Sequence, residues 1–184
     1  MSWAIWITGR PGSGKTTLAG RVAAAVRTWP VTVRVLDLAG ARSALVGQGW
    51  AAPAEEEIVH RTLAYTAKLL TDAGVAVVVD ATAPRRAWRD AAREWIRHFA
   101  EVQLVCPPAV CIEREQASRW RLGDARAWTA PDIVLDYEES LRPELRLHTH
   151  VPDLMSTVDA VLFLVRRLHR AAAASVTHSE RAIS

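Results

Sequence analysis

Apolar and polar residues follow two periods along the chain. Short, almost continuous apolar runs predict buried β-strands, and each is followed by a stretch where apolar residues recur every three or four positions, which predicts an amphipathic helix. The predicted strands are residues 3–7, 31–36, 75–79, 102–105 and 145–148. Strands that alternate with helices in this way predict a three-layer α/β fold with a parallel five-stranded sheet.

Two of these strands have compositions that predict their places in the sheet. Residues 31–36 alternate branched side chains with Thr32 and Arg34, which is typical of an edge strand with one partly solvated face. Residues 75–79 are apolar at every position, which is typical of a central strand buried on both faces. This contrast favours the strand order 2-3-1-4-5.

The loop after the first predicted strand carries the most specific motif. It reads Gly9-Arg10-Pro11-Gly12-Ser13-Gly14-Lys15-Thr16 and matches the phosphate-binding pattern G-x-x-x-x-G-K-[ST] between a strand and a helix. Its glycines let backbone N–H groups point at phosphate oxygens. Lys15 would contact the β- and γ-phosphates, and Thr16 would offer its hydroxyl to Mg²⁺ at the positive end of the helix. Residues 9–16, with Thr17, are therefore the predicted nucleotide-binding loop of a P-loop NTPase fold.

Length and composition indicate one globular domain. The chain has 184 residues, of which 50% are apolar and 23% are charged, which suits a single buried core. We expect a kinase domain over residues 1–170. An arginine- and tryptophan-rich segment predicts a lid at about residues 115–140, and the small and polar residues 171–184 predict a disordered tail.

Charge, hydropathy and cysteine spacing narrow the class of protein. The formal net charge is +3, but the arginines are scattered, which suits anionic ligands and argues against a nucleic-acid partner. No apolar run approaches the roughly 20 residues of a membrane span and no signal peptide is evident, so we expect a cytoplasmic protein without a membrane partner. Cys106 and Cys111 match neither a zinc site nor a disulfide framework, so we expect buried thiols.

Two acids follow predicted strands at the sheet edge where open α/β folds bind ligands. Asp37 ends the second strand and Asp80 ends the third. Phosphoryl transfer needs a group that orients or deprotonates the attacking hydroxyl, and it needs ligands for the metal. We predict catalytic roles for Lys15, Asp37 and Asp80, and metal-binding roles for Thr16 and Asp80. The alternative for each acid is a carboxylate that only caps a turn or a helix.

Across residues 6–169 the sequence resembles the adenylylsulfate kinases. The resemblance rests on Trp6-Ile7-Thr8-Gly9, Ala67-Lys68-Leu69-Leu70-Thr71-Asp72-Ala73-Gly74, Pro84-Arg85-Arg86, Val110-Cys111-Ile112-Glu113-Arg114 and Tyr137-Glu138. It implies binding of ATP with Mg²⁺, phosphorylation of a hydroxyl group, and a position for Arg114 against the adenine. The expected partners are ATP and a small-molecule acceptor, and a homodimer is one assembly to expect.

The sequence departs from the family pattern where the acceptor would bind. The family carries Asp-Gly-Asp-Asn-x-x-Arg after the second strand, and Ala39 replaces its second acid. Glu55 and Ile58 replace an Arg and an Asn of a motif that helps to hold adenylylsulfate, and Ala81 replaces an aromatic residue that would cover the acceptor. Asp80 stands where the family usually has no acid, and it is similar to the strand-terminal acid of polynucleotide kinase ends and zeta-type toxins.

These observations predict an ATP-dependent kinase that phosphorylates a hydroxyl of a small metabolite, with an acceptor other than adenylylsulfate. The candidate acceptor-binding residues are Arg42, Thr82 and Arg86. Two alternatives remain open: a genuine adenylylsulfate kinase that tolerates the replacements, and a nucleotide-binding regulatory module with little turnover. A nucleic-acid end kinase would need a basic groove, which scattered arginines do not supply.

Overall fold

A computed structural model describes residues 1–45, 53–121, 136–151 and 153–181 of the chain. Its elements are β1 (Ala4–Gly9), α1 (Lys15–Val26), β2 (Val33–Asp37), α2 (Leu38–Leu45), α3 (Pro53–Asp72), β3 (Ala76–Asp80), α4 (Arg86–Trp95), β4 (Phe99–Val105), α5 (Pro108–Arg121), β5 (Leu145–His148) and α6 (Leu154–Arg181). Neighbouring strands pair in parallel in the order β2-β3-β1-β4-β5. The predicted three-layer α/β fold and its strand order are confirmed.

The central strand β1 shows how the two helical layers attach to the sheet. Trp3, Ile5 and Ile7 pack with α1 and α6 on one face, whereas Ala4 and Trp6 pack with α3 and α4 on the other. All five side chains are fully buried, as expected for a parallel strand covered on both faces. Replacing either tryptophan by alanine should cost about 3–5 kcal/mol of stability, so the strand that carries the phosphate loop is firmly anchored.

The buried face of α4 differs from the one that its apolar spacing predicts. That spacing favours a buried stripe of Trp88, Ala91, Trp95 and Phe99. In the structure Trp88, Ala91 and Trp95 are half-buried, Phe99 begins β4, and the fully buried residues of α4 are Arg89 and Ala92. The prediction is therefore correct only in part, because periodicity treats arginine as a solvated residue, whereas the Arg89 guanidinium has tertiary partners that compensate its burial.

The last helix is longer than predicted. α6 continues to Arg181, so the prediction of a disordered tail is wrong for residues 171–181, and residues 182–184 lie outside the described part of the chain. Ala172 belongs to the buried core, and the Ser175 hydroxyl lies 3.2 Å from Nε2 of His98. The run of small residues is four alanines, which have the highest helix propensity.

The predicted lid falls largely outside the described residues. Residues 115–121 are the end of α5, residues 136–140 have no regular secondary structure, and residues 122–135 are not described, so the lid stays a prediction. No helix within the described ranges has the length and apolar character of a membrane span.

Candidate active site

The phosphate-binding loop joins β1 to α1, as its motif requires. Gly12 has φ +75°, and a Cβ at this position would lie 2.1 Å from the carbonyl oxygen of Cys111 in α5. Neither the backbone conformation nor the available space admits a side chain there. Gly14 adopts the left-handed conformation (φ 95°) at the N-cap of α1. The Thr149 hydroxyl donates to the Ser13 carbonyl at 2.8 Å, so the loop is tied to the end of the sheet as well.

Lys15 and Asp80 form the charged centre of the site, with 8% and 7% of their surface exposed. The Lys15 ammonium donates to the Arg10 carbonyl at 3.0 Å. Burial lowers the pKa of Lys15, and the charges of Asp80 and Glu115 offset part of that effect. Burial likewise raises the pKa of Asp80, whereas a hydrogen bond with Thr16 and the charge of Lys15 oppose the rise. The two opposite charges therefore stabilise each other where water is scarce.

Thr16 and Asp80 offer oxygen ligands that fit a magnesium ion. Both residues line the same cavity, and the interaction with Thr16 opposes the rise in the pKa of Asp80, so a hydroxyl and a carboxylate lie near each other at the phosphate loop. Mg²⁺ binds oxygen ligands and usually takes one or two from the protein and the rest from phosphates and water. The donor set fits this ion, and the metal assignment stays a prediction.

A cavity of about 600 Å³ brings most of the predicted site residues together, and its volume is in the range of small-molecule sites. The predicted residues that line it are Pro11, Gly12, Gly14, Lys15, Thr16, Thr17, Asp37, Arg42, Asp80, Thr82 and Arg114. The residues that sequence reasoning did not assign to the site are Leu38, Glu115 and Ser118, together with Ala39 and Ala81 at the positions of family departures. Ser118 follows Arg114 by four positions on α5, a helical spacing that could have indicated it.

Four predicted residues lie outside this lining: Gly9, Arg10, Ser13 and Arg86. The guanidinium of Arg10 lies over the ring of Tyr137, 5.8 Å from its centroid. The backbone N–H of Arg86 donates to Glu138 Oε2 at 2.8 Å, and its Nε lies 3.9 Å from the same oxygen. The structure therefore holds Arg86 against Glu138 and does not bring it to the cavity.

A second hollow of about 280 Å³ extends from the phosphate loop toward α6. Arg114 lines both this hollow and the cavity of about 600 Å³, so it lies between them. Thr149, Asp153 and Thr157 add polar groups to the second one. Its place beside the loop makes it the candidate site for the nucleoside part of a nucleotide. No local motif marks these three residues, because the fold brings them to the loop from a distant part of the chain.

The two acceptor-side residues Asp37 and Arg42 already have partners. Asp37 Oδ1 accepts a hydrogen bond from the Gly40 N–H at 2.7 Å, which satisfies a free donor at the start of α2. The Arg42 guanidinium forms an ion pair with Glu56 of α3. The positive charge of Arg42 is therefore compensated within the protein.

His60 lies one helical turn after Glu56 on α3. Its ring is fully buried, stacks on Trp88 with the centroids 4.3 Å apart, and its Nδ1 lies 2.7 Å from the Glu56 carbonyl oxygen. Burial lowers the pKa of His60 to about 4, and the nearby Arg42 charge adds to the effect. The ring is therefore neutral near pH 7 and adds no positive charge to the acceptor side.

The fold and this cavity define the class of the protein. A phosphate loop between strand and helix, a lysine and a threonine at its end, and a strand-terminal acid beside them are the parts of a P-loop phosphotransferase.

Comparison with known proteins identifies the family within that class. The family model described as Adenylylsulphate kinase matches residues 1–148. An adenylyl-sulfate kinase of Synechococcus sp. (strain JA-2-3B'a(2-13)) is 35% identical over 162 residues, which cover 86% of this chain and 91% of that protein. A probable adenylyl-sulfate kinase of Archaeoglobus fulgidus is 33% identical over 156 residues, which cover 83% and 99%. The chain belongs to the adenylylsulphate kinase family.

A solved structure agrees with this assignment. The APS kinase of Mycobacterium tuberculosis, in complex with AMPPNP and APS, matches with a TM-score of 0.75 at 28% identity, covering 90% of this chain and 98% of that one. The predicted family resemblance and the predicted class of enzyme, an ATP-dependent phosphotransferase that acts on a hydroxyl group, are confirmed. The acceptor, the homodimer and the cytoplasmic location stay predictions.

Proposed function

We propose that the protein transfers the γ-phosphoryl group of ATP to a hydroxyl of a small molecule other than adenylylsulfate. The main support for phosphoryl transfer is that the phosphate loop, Asp80 and Asp37 line one cavity of about 600 Å³. The structure of the M. tuberculosis relative was solved in complex with AMPPNP, which supports a nucleoside triphosphate as the phosphoryl donor.

Each of these residues has a part that its position suggests. Lys15 would exchange its hydrogen bond to the Arg10 carbonyl for the terminal phosphates, where its charge stabilises the transferred group. Thr16 and Asp80 would hold Mg²⁺, which neutralises phosphate charge when bound. Asp37 is exposed at the mouth of the cavity, where its carboxylate can orient the acceptor hydroxyl and take its proton.

The charges on the acceptor side argue against an anionic acceptor. Arg42 is paired with Glu56, Glu55 adds an acid at the start of the same helix, and His60 is neutral near pH 7. Residues 46–52, which connect α2 to α3, contain no ionisable side chain in their sequence. Among the described residues of α2 and α3, a sulfated nucleotide would meet little uncompensated positive charge, and an anionic group buried without a partner weakens binding strongly. A neutral or amine-bearing alcohol fits the charges of Arg42, Glu55, Glu56 and His60 better than an anionic acceptor does.

An acceptor panel tests the proposal directly. Transfer from γ-labelled ATP is measured to adenylylsulfate, to adenosine, which offers the same ribose hydroxyls without the anion, and to neutral sugars, amino sugars and amino alcohols. We expect at least one neutral or amine-bearing compound to exceed adenylylsulfate in kcat/KM by about tenfold or more, which corresponds to about 1.4 kcal/mol.

The alternatives predict different outcomes of the same panel. Efficient use of micromolar adenylylsulfate would identify a genuine adenylylsulfate kinase and refute the changed acceptor. Tight ATP binding without transfer to any compound would favour the regulatory module. The variant Glu56→Gln, which releases the charge of Arg42, should raise the relative use of adenylylsulfate if charge compensation is what excludes it.

A further inference from the structure

The loop that follows β3, residues 81–84, is held at every one of its carbonyl groups by a different donor. The donors come from β1, from α4 and from the segment that begins at residue 136. The four pairs are Trp6 Nε1 to the Ala81 oxygen (3.2 Å), Thr8 Oγ1 to the Thr82 oxygen, Arg89 Nη1 to the Ala83 oxygen, and the Glu138 N–H to the Pro84 oxygen (2.9 Å). Four consecutive carbonyls that each have a tertiary donor define the shape of this loop closely.

The third residue of the loop has an unfavourable backbone conformation. Ala83 is fully buried and has φ +41°, and within the described ranges it is the one non-glycine residue with a positive φ. A Cβ disfavours this region, so the conformation persists only where the surroundings determine it. The donor to the Ala83 carbonyl is therefore the contact most directly responsible for holding it.

That donor, Arg89, is itself buried, with 1% of its surface exposed. Its Nε lies 2.8 Å from Glu101 Oε1, and its Nη2 donates to the Glu138 carbonyl. The guanidinium also lies over the ring of Tyr137, 5.0 Å from the centroid. A buried charge is tolerated only with partners of this kind, so removing Arg89 alone would leave Glu101 with less compensation.

The loop lies beside the reacting groups. It follows Asp80 directly in the chain, and Ala81 and Thr82 line the cavity together with Asp80. The Tyr137 hydroxyl lies 3.0 Å from Thr8 Oγ1, immediately before the phosphate loop, so the ring that Arg89 covers also contacts β1. A change in the loop would therefore displace the wall that the acceptor contacts.

We propose that Arg89 is a positioning residue for phosphoryl transfer, which holds Ala83 in its left-handed conformation and thereby places Ala81 and Thr82 against the cavity. The inference rests on the proposed function, because it assigns the loop to the acceptor side. It adds a residue that lies outside the cavity lining and acts through the backbone.

Three variants separate this role from general stability. The double variant Arg89→Met with Glu101→Gln removes both members of the buried ion pair, so that no charge is stranded. Arg89→Lys keeps a positive charge beside Glu101 but loses the fork that contacts the two carbonyls, and it serves where the double variant does not fold. Arg93→Met is the matched control, because Arg93 contacts Glu101 and Glu144 in the same network, and its described hydrogen bonds include no carbonyl of residues 81–84.

The first measurement needs no acceptor. Hydrogen exchange is followed at the Glu138 amide and at the Trp6 indole N–H, which donate to the loop. We expect at least tenfold faster exchange at both in the Arg89 variants and less than threefold change in Arg93→Met. Unchanged exchange in the Arg89 variants, or equal acceleration in the control, would show that Arg89 does not hold the loop.

The second measurement compares kcat/KM for the best acceptor of the panel with the affinity for AMPPNP. In the Arg89 variants we expect kcat/KM for the acceptor to fall at least tenfold, whereas the affinity for AMPPNP should change less than threefold. Adding Ala83→Gly, which accepts a positive φ without strain, should recover at least threefold of the loss. Faster exchange with normal kcat/KM would overturn the positioning role. If the wild-type protein phosphorylates no acceptor, the proposed function is refuted, and so is a positioning role of Arg89 in phosphoryl transfer. The hydrogen-exchange result would still decide whether Arg89 holds the loop.

Discussion

Asp37 and Asp80 lie directly opposite each other on the neighbouring parallel strands β2 and β3. Both strands end at the same edge of the sheet, so the register places two carboxylates at one end of the cavity. Their surroundings differ, since Asp80 is buried beside Lys15 and Thr16 whereas Asp37 is exposed and bonded to the Gly40 N–H. Two identical side chains in unlike environments can perform different tasks.

Asp80→Asn should lower turnover at least about tenfold and weaken the dependence of ATP use on Mg²⁺, because it removes a charge beside the metal ligands. The same variant should be more stable than the wild type in the absence of ligands at pH 7. Burial raises the pKa of Asp80, so its ionisation opposes folding above the ordinary carboxyl pKa near 3.8. The difference in unfolding free energy should shrink as the pH falls toward 4. A variant less stable than the wild type at pH 7 would contradict this, and Asp72→Asn, at an exposed acid of α3, is the control.

Asp37→Asn should leave ATP affinity unchanged and lower transfer to the acceptor by roughly 10²–10⁴-fold, the usual effect of a lost general base. Asparagine satisfies a helix N-terminus about as well as aspartate, so this variant tests the chemistry alone. Asp37→Ala also removes the bond to the Gly40 N–H and should cost about 0.5–2 kcal/mol of stability in addition. Transfer by Asp37→Asn at the wild-type rate would show that Asp37 is structural.

Lys15→Ala should retain less than about a tenth of wild-type transfer with the fold intact, because the lysine charge is directed at the transferred phosphoryl group. Lys68, the second lysine of the chain, forms an exposed pair with Asp72 on α3. Lys68→Ala should therefore change turnover by less than twofold. Equal effects of the two substitutions on turnover, measured with labelled ATP, would exclude the assigned role of Lys15.

Gly12→Ala should abolish nucleotide binding or destabilise the protein, because a Cβ would overlap the Cys111 carbonyl oxygen and the backbone has a positive φ. Gly20 lies inside α1 with open space around its Cβ position. Gly20→Ala should stabilise the protein by about 0.5–1 kcal/mol, since alanine favours a helix interior. Isothermal titration with AMPPNP and thermal unfolding measure both effects, and normal AMPPNP affinity in Gly12→Ala would contradict the close packing.

His60 should make the protein less stable in mild acid. Its pKa is lowered from 6.5 to about 4 by burial, so the unfolded chain binds a proton more readily than the folded one as the pH falls from about 6.5 to 4. This group alone should reduce the unfolding free energy by up to about 3 kcal/mol over that interval. In His60→Phe, which keeps a ring against Trp88, the urea midpoint should depend less on pH. Parallel pH profiles of the two proteins would show that His60 does not titrate in this way.

Features that depend on residues close together in the sequence could be predicted from the sequence alone. The phosphate loop needs particular residues at successive positions, because its glycines, lysine and threonine contact one ligand through local backbone geometry. The predicted central position of β3 and edge position of β2 are also correct. A strand buried on both faces is apolar at every position, whereas a strand with one solvated face alternates apolar and polar residues. The exact register of Asp37 with Asp80 came from the structure, because a common edge does not fix which residues pair.

Contacts between distant residues were decided by the tertiary structure. The sequence placed Arg86 on the acceptor side and assigned no role to Arg89, but the fold pairs Arg86 with Glu138 and buries Arg89 against Glu101. The sequence by itself therefore determined the fold class, the phosphate loop and the candidate acids, because these depend on residue type and local order. Only the tertiary structure decided which charges are compensated, which carbonyls hold the loop after β3 and how long α6 extends. Each of these depends on a partner that is remote in the chain and has no fixed spacing from the residue it contacts.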